Sequence, residues 1–231
     1  MDTAQRYARA ALDVALDIGD RHGQANAHDT LGDFALPADQ GAAEEHYTVA
    51  LTLHQQIGDR HGQANARFGL GAAARLRGDY GAAEEHYTVA LTLYQQIGAR
   101  LGQAHAHLGL GWAARLRADY GAAEEHYTVA LTLYQQIGDR LGQANAHLGL
   151  GAAARLRGDS GVAEKHCTVA LTLYQQIGAR LGQANAGLML GETALMQGDN
   201  ASARKWLMQS AELYETIGRN KDAANAREQV P

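Results

Sequence analysis

A ten-residue segment recurs in this chain every forty residues, and no other feature restricts the fold as strongly. GAAEEHYTVA begins at Gly41, Gly81 and Gly121, and the variant GVAEKHCTVA begins at Gly161. A fixed period of this length indicates an array in which each repeat buries its apolar surface against the next repeat. The fold can therefore be inferred from a single repeat.

Each repeat is predicted to contain two helices. In the second helix, Ala83, Tyr87 and Ala90 share one apolar face, whereas Val89 and Leu93 lie on an adjacent face. A helix with two apolar faces needs cover on both sides, which stacked neighbours supply. A content of two prolines and 6% aromatic residues disfavours a many-stranded β protein. The predicted fold class is an all-α solenoid of stacked antiparallel helix pairs, with about 12 helices.

The period divides residues 1–231 into a single predicted solenoid. The helix-pair repeats are 21–58, 59–98, 99–138, 139–178 and 179–218, preceded by an unpaired second helix at 1–20 and followed by a capping helix at 219–231. One residue is missing between Gly32 and Gly41, and Pro37 in that interval is expected to end the first helix early.

Paired glycines interrupt the middle of several first helices. Gly69 and Gly71 recur forty and eighty residues later. Each costs a helix about 1 kcal/mol relative to alanine. We therefore expect a close approach of neighbouring helices at these positions, with no room for a side chain.

These residues resemble the tetratricopeptide repeat. The resemblance lies in Leu70-Gly71 of the first helix, the turn Gly78-Asp79-Tyr80, and the spacing of Ala83, Tyr87 and Ala90 in the second helix. The usual repeat of that family has 34 residues. The forty-residue form is similar to repeats of kinesin light chains and of actinobacterial transcriptional regulators, to which the segment DRLGQANA at 139–146 is very close. HEAT repeats share the length but lack this turn and its spaced alanines.

The resemblance implies a right-handed superhelix whose first helices line a concave groove for a protein or peptide partner. The groove residues expected from it are Asn65, Phe68, Arg75, His105, Leu108, Trp112, Arg115, Asn145, Leu148, Arg155, Asn185 and Glu192. Three of them, Arg75, Arg115 and Arg155, would form a ladder suited to carboxylates. An aromatic residue such as Trp112 can anchor a partner. Alternatively, the arginines complement helix C-termini and Trp112 fills a packing gap.

No sequence motif indicates catalysis, a cofactor or a metal. The GxG pairs lie within helices and do not follow a strand, so they are not dinucleotide-binding motifs. His46, His86, His126 and His166 recur every forty residues and are interpreted as helix-packing residues, with a pH-responsive ladder as the alternative. His105 and His107 point to different helix faces. We therefore expect a protein that is not an enzyme and that has no cofactor and no metal ligands.

Composition limits the compartment and the partners. The formal net charge of −5 gives no general attraction to nucleic acid or to an anionic membrane. The single cysteine, Cys167, excludes an intramolecular disulfide. The first twenty residues contain acidic side chains and have no continuous apolar core, so they do not resemble a secretory signal. A cytoplasmic location is expected.

Three functions remain open at this stage. The first is a scaffold or adaptor that binds a partner segment in the groove, in a bacterial regulatory system. The second is a structural module that forms dimers or filaments through its unpaired terminal helices, since the two exposed faces complement each other by repetition. The third is a sensor that encloses a small molecule.

Overall fold

The computed structural model describes residues 3–231, which form twelve α-helices and no β-strand. In chain order the helices are α1 (Thr3–Asp17), α2 (Arg21–Ala35), α3 (Gln40–Ile57), α4 (Arg60–Leu76), α5 (Tyr80–Gln96), α6 (Arg100–Leu116), α7 (Tyr120–Ile137), α8 (Arg140–Arg157), α9 (Ser160–Gln176), α10 (Arg180–Gln197), α11 (Asn200–Thr216) and α12 (Asn220–Glu228). None of the helices in residues 3–231 combines the length and the hydrophobicity that a membrane span requires.

The helices fall into two compact units, one ending at Arg117 and the other beginning at Ala118. The first unit contains α1–α6 and the second contains α7–α12. Within each unit, successive helices pack against each other. Alternate helices are also in contact, for example α2 with α4 and α8 with α10. Short turns between packed neighbours make them antiparallel. The predicted stack of helix pairs is therefore present within each unit.

Turns between helices reuse the same pair of residues, a glycine followed by an aspartate. Gly58 ends α3 in the left-handed region, with φ of 72°, and Asp59 then begins α4 by accepting a hydrogen bond from the N–H of Gly62 at 3.0 Å. A glycine adopts this positive φ without the steric cost of a Cβ. The aspartate satisfies one of the unpaired N–H groups at the helix start. The same pair, Gly138 and Asp139, joins α7 to α8.

The mid-helix glycines make room for aromatic rings of the second helices. Tyr47 is buried between Gly32 and Gly69, where an added Cβ would come within 2.7 and 2.5 Å of its ring. Tyr87 is held in the same way between Gly71 and Gly109. The expected lack of room is present, and a tyrosine ring causes it. The free energy gained by burying these rings outweighs the cost of glycine to helix formation.

The missing residue near Pro37 has a local effect only. Helix α2 ends at Ala35, and the chain turns through Leu36, whose N–H still donates to the Gly32 carbonyl at 2.9 Å. Helix α3 begins at Gln40 with Asp39 as its cap, whose side chain accepts from the N–H of Ala42. The first helix pair therefore packs like the later pairs, although α2, with 15 residues, is shorter than α4 with 17.

Candidate functional site

The first unit carries an open cleft on the side formed by its first helices. It has a volume of about 280 Å³, and we call it the α2–α6 cleft after the helices that form it. Its lining residues are Asp29, Asp33, Leu36, Tyr47, Asn65, Phe68, Gly69, Ala72, Tyr94 and His105.

Two carboxylates and two tyrosine hydroxyls give the cleft its polarity. The Tyr47 hydroxyl donates to Asp33 Oδ1 at 2.7 Å, and the Tyr94 hydroxyl donates to Asn65 Oδ1 at 2.7 Å. Burial raises the pKa of Tyr94 to about 12, so this hydroxyl keeps its proton at neutral pH. Burial also raises the pKa of Asp29 to about 6, against the opposing effect of His54. The Asp29 carboxyl is therefore largely ionised above pH 7, and it gives the cleft acidic character.

Aromatic contacts form the apolar part of the cleft. The Phe68 ring is half-buried and lies 5.2 Å from the Tyr87 ring and 6.2 Å from the exposed His105 ring, measured between centroids. Leu108, which was predicted in the groove beside them, is only 4% exposed and belongs to the interior. The cleft thus combines an aromatic wall with acidic groups in one partly enclosed space.

The three arginines of the predicted ladder have different surroundings. The Arg75 guanidinium lies over the Trp112 ring at 5.0 Å from its centroid, a cation–π geometry. In the second unit, Arg155 forms an ion pair with Glu192 at 3.2 Å. All three arginines, including Arg115, bury an Nε atom that has no hydrogen-bond partner among residues 3–231.

The remaining predicted groove residues belong to the second unit and do not line the α2–α6 cleft. Asn145 accepts a hydrogen bond from the Tyr174 hydroxyl at 2.6 Å, and Asn185 accepts one from Tyr214 at 2.6 Å. Leu148 packs against the cluster around Tyr174. The asparagine positions therefore serve a packing role in each unit, because their side chains receive the buried tyrosine hydroxyls.

Sequence reasoning missed the acidic part of the cleft. Asp29 and Asp33 occupy the positions held by Phe68 and Ala72 in the next repeat, thirty-nine residues later. Two charges at positions that are apolar or small in the following repeat were a detectable signal. The missing residue near Pro37 changes the period there and obscures this correspondence.

The repeated histidines form pairs between the two helices of a repeat. His46 Nδ1 lies 3.0 Å from His28 Nδ1, and His166 Nδ1 lies 3.0 Å from His147 Nδ1. Burial lowers the pKa of all four imidazoles. His86 faces Arg67 instead, at 3.3 Å. These contacts fit the interpretation of the histidines as packing residues.

Cys167 is a buried packing residue with an unreactive thiol. It stands where Tyr47, Tyr87 and Tyr127 stand in other repeats, and an added Cβ at Gly151 would come within 2.5 Å of its Sγ. Burial raises the pKa of the thiol to about 12. The reactive form of cysteine is the thiolate, so this side chain offers no nucleophile.

Comparison with known sequences identifies the family. The profile of the tetratricopeptide repeat matches residues 38–96 and 138–216, more than half of the chain. The chain belongs to the tetratricopeptide repeat family. No curated protein sequence matches it significantly.

Solved structures with the same fold are distant in sequence. BtubC from P. vanneervenii is 19% identical with a TM-score of 0.77, and the match covers 93% of this chain and 91% of that chain. Aspartyl phosphate phosphatase F from Bacillus subtilis is 10% identical with a TM-score of 0.78, over 94% of this chain and 58% of that longer chain. A putative kinesin light chain from Podospora anserina with nearly identical TPR-like repeats is 10% identical with a TM-score of 0.67, over 87% and 99%. These likenesses show the tetratricopeptide fold. Arrays of this kind present extended surfaces for binding.

Proposed function

We propose that this tetratricopeptide protein is a non-catalytic adaptor whose α2–α6 cleft binds a segment of a protein partner. The observation that supports this most directly is the combination of an aromatic wall with two carboxylates in one open cleft. Grooves of this composition bind through a few buried anchors, and aromatic residues are prominent among them. A bacterial regulatory system is the proposed setting, on the basis of the resemblance of DRLGQANA to regulator repeats.

The size and charge of the cleft define the segment. A volume of about 280 Å³ is just below the roughly 300–1,000 Å³ of typical small-molecule sites. It suits one or two side chains of a partner. Asp29 and Asp33 favour a lysine or arginine, because a carboxylate that pairs with a cation in a partly desolvated cleft forms a strong hydrogen bond. Phe68 supplies apolar contact for the stem of that side chain.

The surroundings of the polar side chains support a non-catalytic role. The Tyr47 and Tyr94 hydroxyls already donate hydrogen bonds to Asp33 and Asn65, and the Cys167 thiol is buried. No activated nucleophile is evident among the described residues of the cleft. The Bacillus neighbour is a phosphatase by name, but at 10% identity it supports the fold alone.

Selection of a random peptide library on the intact protein tests this proposal. We expect the selected peptides to be rich in lysine or arginine. Asp33→Asn and Phe68→Ala should each weaken their binding about tenfold or more. Asn at position 33 can still accept the Tyr47 hydroxyl, so this change removes the charge and keeps the packing. Leu148→Ala is the matched control, because Leu148 occupies the position of Phe68 two repeats later. Peptides without basic residues, or equal binding by both cleft variants and the control, would refute the proposal.

Self-association is a second candidate, favoured by one observation at α1. Tyr7 and Val14 share one side of this helix and are 73% and 59% exposed, and Ile18, directly after the helix, is 71% exposed. Such an apolar stripe fits a second copy of the chain better than it fits water. Sedimentation over a concentration series should then show dimers or larger species that Val14→Glu abolishes. A monomer at every concentration would exclude this candidate.

A further inference from the structure

The first repeat contains a buried histidine where the later repeats have tyrosine. His54 corresponds to Tyr94, Tyr134, Tyr174 and Tyr214 at forty-residue spacing, and it is fully buried. Its ring packs over Gly62 as the Tyr174 ring packs over Gly182. The scaffold is the same in both places, whereas the chemistry of the side chain differs. A tyrosine presents one hydroxyl, and a histidine presents two ring nitrogens with lone pairs or protons.

One ring nitrogen of His54 is oriented by a carboxylate, and the other is left open. Nε2 lies 2.9 Å from Asp29 Oδ2. A carboxylate accepts hydrogen bonds, so in the neutral ring this contact places the proton on Nε2 and the lone pair on Nδ1. Nδ1 is buried and has no hydrogen-bond partner of acceptable geometry among residues 3–231. Asp59 Oδ2 lies 3.0 Å from this nitrogen. A buried lone pair facing a carboxylate oxygen is unfavourable unless a proton or a metal ion lies between them.

A second histidine completes a set of possible ligands around this nitrogen. His22, in the first turn of α2, lies with its ring 6.3 Å from the His54 ring, edge to face. One ligand atom from each of His22, His54 and Asp59 lies within 4.8 Å of the other two. Neighbouring ligands of a tetrahedral zinc site are about 3.3 Å apart, given zinc–nitrogen distances near 2.0 Å. Small side-chain rotations therefore suffice to bring the three atoms around one ion.

We propose that His22, His54 and Asp59 bind a transition-metal ion of the zinc class. Two imidazoles and one carboxylate are a common zinc set, with water or another donor in the fourth position. Asp29 supports the site, because metal-bound histidines usually donate their other N–H to a carboxylate. Asp59 holds its Oδ1 against the N–H of Gly62, which leaves Oδ2 for the metal. His22 is exposed and Asp59 partly so, and these two ligands open the site to solvent.

The next repeat offers a natural control for this site. His61 corresponds to His22, and its ring lies 6.2 Å from that of Tyr94, again edge to face. Tyrosine stands there in place of His54, and Ala99 stands in place of Asp59. The arrangement of rings is therefore repeated with only one of the three ligands. A metal held by the first repeat should not bind at the second.

Metal titration of the intact protein tests the proposal. After treatment with a chelator, the protein should bind one equivalent of Zn²⁺ or Co²⁺, with a rise in melting temperature that the chelator reverses. The Co²⁺ complex should show the intense visible absorption of a four-coordinate site. His54→Tyr, His22→Leu and Asp59→Ala should each lose this binding, whereas His61→Ala should keep it. Each of the three substitutions introduces a residue that a later repeat carries at the same position, so the array tolerates it.

The supporting role of Asp29 has its own readout. Asp29→Asn should weaken metal binding about 10- to 100-fold and leave the Co²⁺ absorption spectrum four-coordinate. The proposal is overturned if the intact protein binds no stoichiometric metal. It is also overturned if His54→Tyr binds as tightly as the unaltered chain, because the ion would then lie elsewhere, for example between His147 and His166.

Discussion

Two regions built on the same helical scaffold differ in what they bury. In the second unit, Tyr174 packs over Gly182, and its hydroxyl donates to Asn145 at 2.6 Å. In the first unit, His54 packs over Gly62 in the same way, but its partners are two carboxylates. The first arrangement satisfies its only polar group and is a structural contact. The second leaves a ring nitrogen and a carboxylate oxygen, Asp29 Oδ1, buried without a hydrogen-bond partner among the described residues.

This difference shows which positions of a repeat array can acquire a function. Neighbouring repeats maintain the fold through glycines and alanines that pack closely against a buried tyrosine ring. A repeat that exchanges the tyrosine for histidine, and apolar positions for aspartates, gives up part of that stability. Polar groups buried at such a cost are candidates for binding. In this chain the exchanges at Asp29, Asp33 and His54 supply both the α2–α6 cleft and the proposed metal site.

The largest effect expected in the comparison is the loss of a tyrosine from the regular region. Tyr174→Ala removes a ring that is 2% exposed and leaves a cavity against Gly182. Truncation of a buried aromatic residue lowers the free energy of unfolding by about 3–5 kcal/mol. Urea unfolding measures it. Tyr174→Phe is the control, because it removes only the hydroxyl and should cost about 0.5–1.5 kcal/mol. Equal losses for the two variants would show that the hydrogen bond to Asn145, and not the ring, stabilises this region.

A smaller effect is expected from the glycine that receives the ring. A Cβ at Gly182 would come within 2.3 Å of the Tyr174 ring, so Gly182→Ala should lower the free energy of unfolding by about 1–3 kcal/mol despite the better helix propensity of alanine. Gly161→Ala is the matched control. Gly161 lies in α9, where an added Cβ meets no atom within 4 Å among the described residues, and the change should stabilise the chain by up to about 1 kcal/mol. Destabilisation by both substitutions would contradict the steric explanation.

The sequence predicted the scaffold more completely than the site, for physical reasons. The period of forty residues and the Gly-Asp turns determine where helices start and end, because these are local preferences of the chain. The pair of glycines around Tyr47 follows from the same period. Pairing of His46 with His28 does not, because it depends on how two helices pack side by side. The same holds for the convergence of Asp29 and Asp59 on His54, since these residues are thirty positions apart and the missing residue near Pro37 lies between them.

The smallest expected effect concerns the histidine pair of the second unit and depends on pH. Burial lowers the pKa of both His147 and His166. The charge of His166 lowers the pKa of His147 further, whereas Glu124 opposes the shift of His166. The unfolded chain therefore binds more protons than the folded chain once the pH falls below about 6.5, the ordinary histidine value. Stability that is present above that pH is lost as the solution is acidified through the folded pKa values.

Urea unfolding at pH 7.5 and pH 5.5 should show this loss, and His166→Gln should reduce it, since one of the two titrating groups is gone. The tyrosine at position 174 does not titrate in this range because burial raises its pKa, so Tyr174→Phe should leave the pH dependence unchanged. An unaltered pH dependence in His166→Gln would assign the acid sensitivity to other groups, of which the half-buried pair of His28 and His46 in the first unit is the next to test.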